Sequence, residues 1–157
     1  MNYTPLTEYR HAWFYHHKDM PVSAEDLELI KPMTPARAYQ LWTQMISKQS
    51  DDITELAKDD WVSHGQTWVE EGAWQSAWDS ESLDLPGSFN LYFPWDNQTV
   101  VYFCYGAEHI VETRWDVFRR CWKNFLFIDD SPILLGKKRK EVAQFFQDGS
   151  FRLGQRP

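Results

Sequence analysis

The sequence predicts an α+β fold, with one antiparallel sheet and helices packed on one face, in a single domain over residues 1–157. Three observations carry that expectation. Residues 113–127, T-R-W-D-V-F-R-R-C-W-K-N-F-L-F, place Trp115, Phe118, Trp122 and Phe125 at i, i+3, i+7 and i+10, one apolar stripe of a helix. Residues 99–105, T-V-V-Y-F-C-Y, are apolar on both faces, the pattern of a central strand. Asp148-Gly149 is a strong hairpin signal between apolar runs. A chain of 157 residues can bury about two thirds of its unfolded surface around one core.

In chain order, residues 9–17 (Y-R-H-A-W-F-Y-H-H) are aromatic and β-leaning, which suggests a short strand. Ser23 followed by Asp26 is a capping signal, and Leu27 and Ile30 give a short helix that Pro32 stops. Thr34 is the natural N-cap of the next helix, with Pro35 at N1. Ala38, Tyr39, Leu41, Trp42, Met45 and Ile46 share its broad apolar face through to about Ser47. Asp51 and Asp52 can cap a further turn or two carrying Ile53, Leu56 and Ala57. From Asp59 to Trp95 no one period is sustained, so an irregular packed connection is expected, with Trp74 and Trp78 at i, i+4 allowing a short helix.

Beyond the central strand, Gly106-Ala107-Glu108 turns the chain back into residues 109–112, and Thr113 caps the amphipathic helix. Asp129-Asp130-Ser131-Pro132 reads as a turn and residues 133–136 as a strand. A two-residue loop at Asp148-Gly149 pairs Gln147 with Ser150 and Phe146 with Phe151, which puts Val142, Phe146, Phe151 and Leu153 on one core-facing side. A helix over residues 138–147 competes, since Val142, Phe145 and Phe146 also fit a 3.6 period, but Asp-Gly favours the hairpin. Helices at 34–47 and 113–126 are then expected to cover one face of a sheet built by 99–112 and 133–154.

The net charge of −7 conceals an asymmetry. Residues 1–112 hold 6 Lys and Arg against 18 Asp and Glu, a balance of −12, whereas residues 113–157 hold 10 against 5, a balance of +5. Two halves that solvate their own faces account for this, and so does a basic surface that meets an anionic partner. The run Lys137-Lys138-Arg139-Lys140 falls in the turn between two strands, where four cations project together or keep a sheet edge from pairing. Arg119, Arg120 and Lys123 lie on the polar side of the helix, where Asp116 offers intrahelical partners. A net negative chain opposes long-range attraction to nucleic acid, so an acidic protein is the better-matched partner. No secretory leader and no apolar run of membrane length is visible, and two cysteines in apolar settings suit a reducing compartment, so a cytoplasmic protein is expected.

Catalytic signatures do not stand out. His11, His16 and His17 cluster near Asp19, while His64 and His109 are isolated, without metal-ligand spacing. No G-x-S-x-G occurs and neither cysteine sits in an activating motif, so the sequence nominates no catalytic residue, no metal and no cofactor. The alternative to an interaction module is a small-molecule-binding protein or hydrolase whose pocket is lined by tryptophans and carboxylates. Trp74 and Trp78 are its candidate platforms, and Glu70, Glu71 or Asp79 its acid or base.

Four blocks carry a resemblance: I-K-P-M-T-P-A-R-A-Y-Q-L-W at 30–42, D-N-Q-T-V-V-Y-F-C at 96–104, W-K-N-F-L-F-I-D-D at 122–130 and P-I-L-L-G-K-K-R-K at 132–140. On these the chain resembles, nearly end to end, the small gammaproteobacterial proteins grouped as domain of unknown function 2947. The resemblance implies a bacterial cytosolic protein and lends no activity or site residue. The expectation is therefore a non-enzymatic binding module that uses Arg119, Arg120, Lys123, Lys137, Lys138, Arg139 and Lys140, aided by Trp74 and Trp78.

Overall fold

The two-sided apolar run after Thr99 needs cover on both faces, and the computed structural model, which describes every residue except Asp129, supplies it. The strands are β1 (Lys31–Pro32), β2 (Trp68–Ala73), β3 (Val100–Gly106), β4 (His109–Arg114), β5 (Ile133–Gly136), β6 (Glu141–Phe145) and β7 (Ser150–Gln155). They form one seven-stranded antiparallel sheet in the order β1-β4-β3-β5-β6-β7-β2. Val101, Phe103 and Tyr105 face one side of β3; Tyr102 and Cys104 face the other, each set within its own hydrophobic cluster.

The helices are α1 (Ala24–Glu28), α2 (Pro35–Met45), α3 (Gln75–Asp79), α4 (Gly87–Tyr92) and α5 (Trp115–Phe125). The expected caps form: Ser23 Oγ accepts from Asp26 N at 3.1 Å and Thr34 Oγ1 from Arg37 N at 3.3 Å. Helix α5 begins at Trp115, since Thr113 lies within β4 and Arg114, the last residue of that strand, holds the N-cap position. Its apolar stripe is buried in full. Trp122 has no solvent exposure, and its Nε1–H donates to Leu83 O at 3.1 Å, which satisfies the one polar atom that burial would orphan. Phe118 and Phe125 are equally buried, each contributing about 1.5–3 kcal/mol of apolar transfer.

The α+β class and the antiparallel sheet agree with the sequence; the distribution of helices differs. Helix α5 packs with Phe103, while Ala38, Leu41 and Trp42 of α2 pack with Tyr102 and Cys104 on the opposite face. A strand apolar on both sides requires this, because one layer of helices would leave half its side chains in water.

Other local expectations are corrected. Residues 9–17 form no strand; short 3-10 turns run over Leu6–Glu8 and Ala12–Tyr15, and they sink Phe14 and Tyr15 into the core beside α5. Asp52 starts no helix, because its carboxylate accepts from both Thr54 N and Thr54 Oγ1 and closes a tight turn. The connection over 59–95 contains the edge strand β2 and the short helix α4. The turn expected at 129–132 includes Asp129, which lies outside the described residues.

The C-terminal hairpin exists, but its register is displaced by one residue: Phe145, not Phe146, pairs with Phe151. Gly149 N–H donates to Phe146 O at 3.0 Å, Phe146 N–H to Ser150 O at 2.8 Å, and Gly149 has φ +91°. Asp-Gly thus belongs to a three-residue loop with a left-handed glycine rather than a two-residue turn. The one-residue slip rotates Phe146 out of the core and gives its place to Phe145, with Val142 on the other face.

Candidate functional site

The run at 137–140 connects β5 to β6, as the sequence implies. Lys137, Lys138 and Lys140 are exposed, and Lys138 takes φ +59° at the tip. Among the described residues no carboxylate lies within 4 Å of these three ammonium groups, whereas Arg139 reaches Asp96 at 4.0 Å. Arg156 N–H donates to Lys140 O at 2.9 Å, so the ends of the hairpin strands hold Lys140 and Arg156 side by side.

These two cations border a groove of about 660 Å³ between the C-terminal end of α2 and the start of β2, with Lys48, Trp61, His64 and Gln66 on its other walls. Asp59 stands exposed at the groove and Asp60 is buried in it. Asp60 is committed internally: it accepts from Ser47 Oγ at 2.6 Å and from Ala57 N at 2.9 Å. Ser47 Oγ in turn accepts Gln49 N–H at 3.2 Å and Ser50 N–H at 3.0 Å, so Ser47 and Asp60 clasp two loops together. No hydrogen bond joins His64 to either among the described residues, and a Ser-His-Asp relay is not assembled.

The helix cations are differently disposed. Lys123, expected on the solvent face, is buried: its Nζ donates to Ser80 O at 2.9 Å and lies over the Trp122 ring. Arg120 forms a two-pronged bond to Asp26 at 3.0 and 2.8 Å and lies 3.6 Å from Asp116. These carboxylates hold its guanidinium even further above the protonation range than usual. Arg119 bonds Asn97 Oδ1. Asp116 pairs chiefly with Arg114, at 2.7 Å. Arg119 and Arg120 line a second groove, of about 740 Å³, with Asp26, Asp84 and Asp116; Arg120 is neutralised there, Arg119 meets only the neutral Asn97 amide, and Lys123 is buried, so the helix cations do not extend the basic run as one exposed patch.

The tryptophan and carboxylate pocket does not form. Trp74 is buried, its Nε1–H donating to Phe146 O at 3.1 Å, and Trp78 packs edge-on against Trp74 and Trp122. Glu70, Glu71 and Asp79 are all exposed, and none lines either groove. The cysteines are free and buried; burial, reinforced by Asp26, pushes the Cys121 thiol up to about 12, and burial raises Cys104 as well. No group of three or more His, Cys, Asp or Glu side chains among the described residues is placed to hold a metal ion.

The fold does assemble one titratable cluster that the sequence leaves scattered. His109 at the start of β4 stacks on Tyr105 at 4.5 Å and on His11 at 5.0 Å, and its Nε2 hydrogen-bonds the Tyr9 hydroxyl. Burial, then repulsion from His11 and Arg10, holds His109 down at about 4.

What these features define is an α+β protein with a groove bordered by Lys48, Lys140 and Arg156 and no assembled catalytic set among the described residues. The chain belongs to the family described as protein of unknown function (DUF2947), whose model matches residues 3–154. No curated protein and no solved structure matches the chain. No helix among the described residues is long and apolar enough to cross a membrane.

The sequence pointed to the run at 137–140 but missed Lys48, Trp61 and Arg156. Arg156 lies past the last apolar residue of its strand, and only the β6–β7 pairing brings it beside Lys140. No spacing rule carries that signal.

Proposed function

We propose that the protein is a cytoplasmic, non-enzymatic binding module that recognises an acidic protein through the basic surface of its C-terminal third. One observation carries the reading: Lys137, Lys138 and Lys140 project from the β5–β6 turn with no carboxylate within 4 Å among the described residues. Cations left without partners on a net negative chain are positioned to steer and orient a compact acidic surface, while the remaining charge of the chain discourages a long polyanion. Buried, unpaired thiols at Cys104 and Cys121 suit a reducing compartment.

Affinity capture from the native host tests this, comparing the wild-type chain with a variant carrying Glu at 137, 138, 139 and 140. The expected result is an acidic protein retained by the wild type, released as salt is raised, and absent with the variant. Equal retention by both chains, at low and at moderate salt, overturns it.

A further inference from the structure

We propose that Arg156 is the anchor of this surface, and that its guanidinium, beside Lys140 in the groove, receives a side-chain carboxylate of an acidic peptide segment. The inference rests on the acidic-partner reading and deepens it by naming the group that is bound and the residue that binds it.

Three observations on Arg156 agree. Its Nε is buried without a hydrogen-bond partner, and its two Nη groups, outside that buried set, make no hydrogen bond or ion pair among the described residues, so they are the donors left for an external carboxylate. The guanidinium is partly desolvated, which lowers its proton affinity, and no carboxylate offsets that cost. Its neighbour in the groove, Lys140, is also without an ionic partner among the described residues. A carboxylate arriving from outside would meet the accessible end of the guanidinium, which has no acceptor of its own.

The groove's own acids do not supply that acceptor. Asp60 is consumed by Ser47 and Ala57, and Asp59 makes no ion pair within 4 Å of a cation among the described residues. The remaining lining includes Thr43, Gln44, Gln49, Gln66 and Gln155, amide and hydroxyl groups of the kind that hydrogen-bond a peptide main chain. An open groove with a cationic end and amide-rich walls fits a peptide that places one acidic side chain at Arg156 and lays its backbone along the rest.

The test uses the full chain and a fluorescently labelled short peptide of alternating Glu and Ser, with its Gln-for-Glu counterpart as control, read by anisotropy at low salt. The wild type is expected to bind the Glu peptide and not the Gln peptide. R156Q should weaken binding by about tenfold, and R156K by less, since an ammonium keeps the charge but loses the fork. K18Q, at an exposed lysine outside both the groove and the 137–140 run, should change it by no more than about twofold. Because the Arg156 side chain makes no hydrogen bond or ion pair to the rest of the described chain, R156Q should keep the wild-type Tm, which separates a binding role from a structural one.

No binding of the Glu peptide, or equal losses for R156Q and K18Q, overturns the anchor. So does displacement of the peptide by free glutarate at equal concentration, which would mark a small-molecule site. If host-partner capture depends on the 137–140 run while Glu-peptide affinity is unaffected by R156Q, the acidic-partner reading stands and the Arg156 anchor falls. If capture ignores the run, the broader reading has failed on its own test.

Discussion

Between pH 6.5 and 4 the fold is expected to lose stability through His109, whose ring lies between Tyr105 and His11 and whose Nε2 meets the Tyr9 hydroxyl. The charged and titratable groups around it are Tyr9, Arg10 and His11 from the N-terminal segment and Tyr105 from β3, and none of them favours an imidazolium. In an unfolded chain the ring titrates at about 6.5, and in the native state at about 4. A depressed native value means that the folded state resists the proton. The stabilisation is therefore complete above the unfolded value and drains away as pH falls towards the folded one. A gap of roughly 2.5 pH units, at about 1.36 kcal/mol each, sets a ceiling of about 3 kcal/mol. Partial solvent access reduces this, so a loss of about 2 kcal/mol by pH 4.5 is expected. Urea unfolding at pH 7.5, 6.0 and 4.5 should be measured for the wild type and for His109→Asn, which retains an acceptor for Tyr9 but does not titrate. The wild type should lose stability faster than the variant on acidification. Parallel losses in the two proteins would refute the argument.

Trp122→Ala should cost about 3–5 kcal/mol, because the whole indole is buried and Leu83 O loses its donor; an unchanged urea midpoint would sink the assignment of α5 to the core. At Gly154 an added Cβ would stand 2.1 Å from Thr67 O, so Gly154→Ala should force β2 from β7 and lower stability by about 1–3 kcal/mol, visible as a reduced Tm. Neither thiol should react with a disulfide reagent at pH 8 in the native protein, and both should react in urea; rapid native labelling would contradict the burial of Cys104 and Cys121.

Legibility in the sequence follows burial. Helix α5 was readable because its apolar residues repeat with the helical period, and strand β3 because a short continuous apolar run marks a strand covered on both faces. Strand β2 was not, since it is an edge strand with Val69, Glu70 and Glu71 all exposed, so neither face imposes a pattern. The hairpin was visible but its register was not, because Asp-Gly serves a two-residue loop and a three-residue loop equally, and the choice moves Phe146 out of the core. Charge misled in one place. A lysine on the polar side of an amphipathic helix reads as solvated, yet Ser80 O, from a segment more than forty positions away, draws Lys123 inward. For the same reason the groove was invisible: Arg156, Lys48 and His64 become neighbours only through strand pairing and loop packing.

Two groups among the nine indoles are spatially distinct. Trp74, Trp78 and Trp122 lie within 6.0–6.2 Å of one another through Trp78, deep beside α5, where their emission reports the integrity of the core. Trp61 lines the groove, its ring 6.2 Å from Trp68, over which the Arg152 guanidinium sits at 4.0 Å. A carboxylate bound between Lys140 and Arg156, as proposed, would change the electric field at the groove-lining Trp61 more than at the indoles beside α5. The groove therefore carries its own fluorophore, and occupancy would be readable as a small shift in tryptophan emission without a label on either molecule.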